Sequence, residues 1–185
     1  MKALRNLSPS LALIVILSGA CAASAQTPGT VLHAPEASKL LPDSVYFAGK
    51  SATTQLRNSA GIHYSDDHFV LAVLVDTSGY SSAIQDKYQG YLLTEVPLIL
   101  IPVGPADRRL PPGAYGIGFV GDHFVVMDIG NHDVHSTRAM HDTQMEHPVP
   151  LQIMGPWQLQ RDPRTLSGTY RLCFGRNCID FKRAE

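Results

Sequence analysis

Four histidines, His132, His135, His141 and His147, fall within sixteen residues, with Asp133, Asp142 and Glu146 among them and Asp128 just before. Neutral imidazole and carboxylate are ligands for zinc, copper and nickel, so this stretch is where the sequence offers divalent-metal chemistry. His132 and His135 stand three apart in an expected loop and can face one ion, with His141 as a further donor. No H-E-x-x-H pattern fixes that geometry, and a polar surface loop with solvated histidines is the competing reading. His68 and His123 each follow an aspartate at the exit of an expected turn. They either meet in one site or, as turn chemistry favours, Asp67 and Asp122 simply serve nearby amides.

Other residues suggest binding rather than reaction. Gly116 and Gly118 share one face of an alternating run whose other face is Tyr115, Ile117 and Phe119. That glycine face can admit a ligand, or it can let a neighbouring element pack closely. Trp157, with Tyr80, Tyr88 and Tyr91, can form a stacking platform for sugars, or Trp157 fills a core or rim after Pro156. The chain has no G-x-S-x-G elbow, Walker loop, dinucleotide fingerprint or EF-hand loop. Adjacent carboxylates such as Asp66 and Asp67 do not define an acid/base pair across a cleft.

The elements that must position these residues begin with a sequence written twice. Residues 61–76 (GIHYSDDHFVLAVLVD) align without a gap on 116–131 (GIGFVGDHFVVMDIGN), with six identities in sixteen. Each copy reads as an alternating run, a polar turn and an apolar run, the pattern of a β-hairpin. A two-residue turn at Asp66-Asp67 pairs Tyr64 with Phe69 and Ile62 with Leu71. Gly121-Asp122, suited to a type II′ turn, pairs Phe119 with Phe124 and Ile117 with Val126. A third hairpin turns at Gly175-Arg176. It sets Leu172 against Ile179, Tyr170 against Phe181, Arg171 against Asp180 and Cys173 against Cys178, the last pair in disulfide range.

Strands are expected at 45–49 and 52–57, with a turn at 58–61 leading into the first hairpin. Residues 33–41 are expected to hold a helix turn or two after Pro35, and a short helix is expected at 83–89 with a Ser82/Gln85 capping box. Residues 92–103 read as an edge strand, or as two strands with a kink, because Pro97 and Pro102 lack the amide of a central ladder. Residues 106–109 read as an exposed loop, 151–154 and 157–160 as short strands, and 162–168 as a turn-rich link.

The segment Leu110-Pro111-Pro112-Gly113-Ala114-Tyr115 resembles the turn that enters a strand in secreted transthyretin-like and carboxypeptidase-regulatory-like β-sandwich modules. The resemblance implies a sandwich and no active site. More broadly the chain resembles secreted bacterial β-sandwich proteins, which implies no mechanism.

The first 25 residues read as an export signal: Lys2 and Arg5, then an apolar run at 11–17, then Ala23-Ser24-Ala25 before Gln26. Cys21 raises the alternative of an acylated lipoprotein, but Leu17 stands four residues before it, and cleavage after Ala25 fits better. Without Lys2 and Arg5 the 15 basic residues fall to 13, against 16 acidic. No basic stripe is present, which argues against a nucleic-acid partner; the run at 11–17 is too short to span a membrane, and no second long apolar run follows it. The expected organisation is therefore a signal at 1–25, a flexible leader at 26–44 and one β domain at 45–185. The domain is expected to be a mostly antiparallel β-sandwich or flattened barrel of about eight to ten strands, with one or two short helices. The expected function is an exported, non-catalytic module in the periplasm or outside the cell, without a cofactor, binding a small molecule, a glycan or an envelope protein. The alternative is a metal-binding protein or metal-dependent hydrolase built on residues 128–147.

Overall fold

The computed structural model describes residues 28–101, 108–159 and 168–184. The expected export signal and Cys21 lie outside that range, as do residues 162–167 of the expected link. The chain opens with β1 (Thr30–Leu32), α1 (Ala34–Ala37), β2 (Ser44–Phe47), β3 (Lys50–His63) and β4 (Phe69–Val75). It continues through α2 (Ser82–Gln85), β5 (Gly90–Thr94), β6 (Leu98–Ile101), β7 (Arg108–Leu110), β8 (Gly113–Val120) and β9 (His123–Met127). It closes with β10 (Asp133–Arg138), β11 (Met140–His141), β12 (Gln152–Met154), α3 (Pro156–Leu159), β13 (Tyr170–Phe174) and β14 (Asn177–Arg183).

These strands form two antiparallel sheets that do not close into a barrel, so the fold is an all-β sandwich. The large sheet runs β1-β3-β4-β5-β8-β9-β10, with β2 also on β3; the small one runs β12-β13-β14-β6-β7, with β11 on β14. Their facing sides make one core, in which Ile62, Val70, Ile117 and Phe124 meet Leu98, Leu100, Leu172 and Ile179.

Residues 90–117 join the sheets. β5 and β8 pair from Gly90↔Ile117 to Thr94↔Gly113 in the large sheet, and β6 and β7 resume at Leu98↔Leu110 in the small one. Three residues (Glu95, Val96, Pro97) turn the corner on one strand and two prolines (Pro111, Pro112) on the other. Strands that switch sheets make their corners with such bends and extra residues. The expected kink at Pro97 is therefore present, but neither half is an edge: β5 lies between β4 and β8, and β6 between β14 and β7. The Tyr115 hydroxyl donates to the Pro111 carbonyl (2.9 Å) and Thr94 Oγ1 to the Val96 carbonyl (2.5 Å), satisfying groups the bend takes from the ladder. A tyrosine bonding back a few residues upstream recurs at sandwich corners.

Two of the three expected hairpins have the expected register. Around Gly121, at φ 60°, Phe119 pairs with Phe124 and Ile117 with Val126. Around Gly175, at φ 59°, all four expected pairs form. Cys173 and Cys178 are disulfide-bonded with Cα atoms 4.2 Å apart, and both are buried. Beside them the buried Arg171 grips Asp180 in a bidentate pair, at 2.6 and 3.0 Å.

The first hairpin is shifted by one residue, with His63↔Phe69 and Ile62↔Val70. Copy one has no glycine at its turn. A three-residue loop forms instead, closed by Tyr64 N–H to His68 O (2.9 Å), with Asp67 taking the left-handed conformation at φ 63°. A one-residue slip exchanges faces, so Phe69 lies on the outer side of the sheet while its counterpart Phe124 lies in the inter-sheet core.

Other expectations are corrected by tertiary pairing. The expected turn at 58–61 is absent: β3 runs through it, with only a bulge between Thr54 and Ser59. Within the expected leader, β1 pairs with β3. The helix at 83–89 is shorter, capped at Ser81, and Gly90 begins a strand. Arg108 and Arg109 are in a strand, and residues 156–159 form a helix where a strand was expected.

The outer side of the large sheet is also covered. Leu41, Leu32 and Leu56 lie over Leu71 and Val73; Val45, Phe47, Tyr80 and Tyr88 cover Val75, Val125 and Met127. Phe47 stacks on Tyr88 with ring centres 3.8 Å apart. The two glycines of β8 make this layer possible. A Cβ on Gly116 would stand 2.3 Å from the Phe47 ring, and one on Gly118 would stand 2.1 Å from the Lys87 carbonyl oxygen. The expected ligand face of Gly116 and Gly118 is therefore filled by the chain itself.

Because a backbone atom cannot swing aside, Gly118→Ala is predicted to destabilise by about 1–3 kcal/mol. Gly79→Ala, where a Cβ meets nothing within 4 Å, should stay within about 0.5 kcal/mol. Chemical denaturation of both variants checks the contrast.

Candidate functional site

A groove opens on the outer side of the large sheet where α2 approaches β9 and β10. Its wall on one side is Ala83, Asp86 and Lys87; on the other stand His123, Asp133 and Ser136, over a floor of Val120 and Val125. Its volume is about 430 Å³, within the ~300–1,000 Å³ range of small-molecule sites.

Each wall has a local cause. The α2 segment is pinned by Tyr88, buried against Phe47, and by the Tyr80 hydroxyl, near the Phe47 and Lys50 carbonyls at 3.0 and 3.1 Å. Gln89 then continues the β5–β8 ladder with its side chain. Its Nε2 donates to the Phe119 carbonyl and its Oε1 accepts from the Phe119 amide, both at 3.0 Å. That clamp seats the Lys87 carbonyl over Gly118 and leaves the Lys87 ammonium at the groove. On the facing wall, Asp133 opposes Met127 and His135 opposes Val126, so Val134 is an extra, bulged residue. Bulges re-aim side chains. Here the bulge returns Asp133 to the outer face, where its Oδ1 accepts from Lys87 Nζ at 2.7 Å.

At the groove's end, His123 Nδ1 lies 2.7 Å from Asp122 Oδ1, and Arg138 Nε lies 3.3 Å from Asp122 Oδ2. These contacts, the histidine first, lower the Asp122 carboxyl below its ordinary range. The groove thus brings a cation, two carboxylates, an imidazole and a hydroxyl around two valines.

The histidines of 132–147 do not converge. His132 Nδ1 meets Asp128 Oδ2 (3.0 Å), His135 Nε2 meets the Arg109 carbonyl (2.9 Å), and His141 Nδ1 meets Asn177 Oδ1 (2.9 Å). Among the described residues no group of three or more His, Cys, Asp or Glu is placed to hold a metal ion. His68 and His123 also stand apart, each beside the aspartate of its own turn. Trp157 is 71% exposed on α3, whereas Tyr80 and Tyr88 are buried beneath β2, so the stacking platform does not assemble. The groove joins residues 83–87, 120–125 and 133–136, which no local motif connects. Only His123 and Asp133 carried a signal beforehand.

A second polar cluster lies where the first hairpin loop meets β14. Arg183 Nη2 donates to Asp66 Oδ2 at 2.6 Å and its guanidinium lies 5.1 Å from the Tyr64 ring centre. That hydrogen bond holds the Asp66 carboxyl at about 2, below its ordinary 3.8. A depressed folded-state value gives stability that is present above the unfolded value and lost as pH falls towards the folded one. Acid titration of Asp66→Asn should therefore show a shallower loss of stability between pH 3.8 and about 2 than the parent chain.

Comparison with family models, with curated proteins and with solved structures finds no match to this chain.

Proposed function

We propose that this chain is an exported binding module that takes a small polyhydroxylated ligand, a sugar or sugar-like molecule, in the groove between α2 and β10. The observation that carries the reading is the mixed lining of that groove. Asp86 and Asp133 accept from hydroxyls, Lys87 and Ser136 donate to ring or carboxyl oxygens, and Val120 and Val125 offer an apolar floor to a sugar's C–H face. The supports are rigid strands and a helix held by a buried aromatic stack, which limits the ordering cost of binding. The N-terminal pattern of Lys2, Arg5 and the apolar run at 11–17 supports export. The buried Cys173–Cys178 disulfide fits an oxidising compartment, periplasmic or extracellular.

The test is titration of a panel of neutral sugars and uronic acids, read by backbone amide shifts. Perturbations should cluster on residues 83–87, 120–125 and 133–136. Lys87→Ala should weaken the best binder by about tenfold or more, as loss of a charged hydrogen bond does. Shifts centred elsewhere, for example on residues 64–68 and 183, would overturn the assignment of the site.

A further inference from the structure

We propose that β10 is the seam of a two-fold symmetric dimer in which the large sheets of two copies of this chain join edge to edge. The large sheet ends at β1 and β10 and the small one at β12 and β7. The other strands paired on one side only, β1, β2, β7, β11 and β12, are two to four residues long, whereas β10 has six.

The free groups of this edge can be assigned. The two-residue turn at Gly121-Asp122 makes Val120↔His123 a hydrogen-bonded pair, so Phe124 directs its N–H and C=O towards β10, where Thr137 opposes it. Ala139 N–H, in phase with Thr137, donates to the Asp122 carbonyl at 2.8 Å. Ser136 and Arg138 therefore point their backbone groups away from β9, and among the described residues no other strand pairs with β10.

The strand's own charges specify the occupant. The side chain of its first residue, Asp133, which accepts from Lys87, is still 53% exposed, and that of its last, Arg138, which lies beside Asp122, is 61% exposed. The bulge puts both on the outer face. A second copy laid antiparallel, with Ser136 opposite Ser136, exchanges two N–H···O=C bonds at the axis. It also sets Arg138 of each copy opposite the bulged Val134 of the other, with Asp133 next to it on the same face. The contact is isologous, each surface being its own complement. In an antiparallel sheet the axis is normal to the sheet, so both grooves open on the same side. The seam shares Asp133 and Ser136 with the groove wall, but it needs no ligand in the groove to form.

Sedimentation velocity of the purified chain up to about 100 μM tests it. A concentration-dependent dimer is expected, and Ser136→Pro, which removes the axial amide but suits an open edge, should abolish it while leaving the thermal midpoint unchanged at concentrations where the parent is monomeric. Arg138→Asp and Asp133→Arg should each weaken association about tenfold or more, whereas an equimolar mixture of the two, in which both charge pairs are complementary again, should dimerise. Ser136→Cys should give a disulfide-linked dimer on a non-reducing gel, since opposed Cα atoms of such a pair lie about 5.5 Å apart. This readout does not rely on Ser136→Pro folding. A chain that stays monomeric throughout overturns the proposal. So does a dimer insensitive to all these changes, or a monomer that binds only an added extended peptide along β10.

Discussion

The constraint on which the molecule depends is the bend in the hairpin of residues 90–117. A proline has no amide to give a ladder, so Pro97, Pro111 and Pro112 interrupt β-pairing at one level on both strands of the hairpin. The strands resume beyond the gap in a different sheet. The corner is held by side chains that stand in for missing ladder bonds and by Ala184 N–H, which donates to the Pro97 carbonyl at 2.8 Å. Everything else is hung from this piece. β8 sets the glycine surface on which the outer layer packs, and β6 gives β14 its partner.

What the sequence made legible follows from how local the determinants were. A glycine at the first turn position imposes a two-residue loop, and the hairpins at Gly121 and Gly175 were readable to the residue, disulfide and Arg171–Asp180 pair included. The first copy of the repeat has the same strands but Asp66 in place of the glycine, and the longer loop slid its register. The lesson is physical: six shared residues fixed the strands, while one unshared residue chose the pairing. Residues 58–61 looked like a turn because Asn, Ser and Gly are turn formers, yet the ladder with β4 from Ser59 onward, joined by β1 at Gly61, holds them extended.

The groove was not legible for a different reason. Its shape depends on a bulge at Val134, on a glutamine side chain acting as backbone, and on the absence of a Cβ at Gly118, three features that involve elements far apart in the chain. The histidines drew attention by their number. The rings of His132, His135 and His141, however, are taken up one by one by an aspartate, a carbonyl and an asparagine, and that dispersal is what separates a polar surface from a coordination sphere.

The place of β14 has a consequence for how the molecule is made. Among the described strands it comes last in chain order, yet it lies in the interior of the small sheet, between β13 and β6. Every strand of the large sheet precedes residue 139, so that layer can assemble while the chain is still emerging from a ribosome or a translocation channel. The small sheet cannot. Until β14 arrives, Leu98 and Leu100 on one side and Tyr170 and Leu172 on the other have no common strand to join them. The nascent protein thus passes through a stage with one finished layer and an uncovered apolar face, and the final strand acts as the keystone that ends its exposure to aggregation.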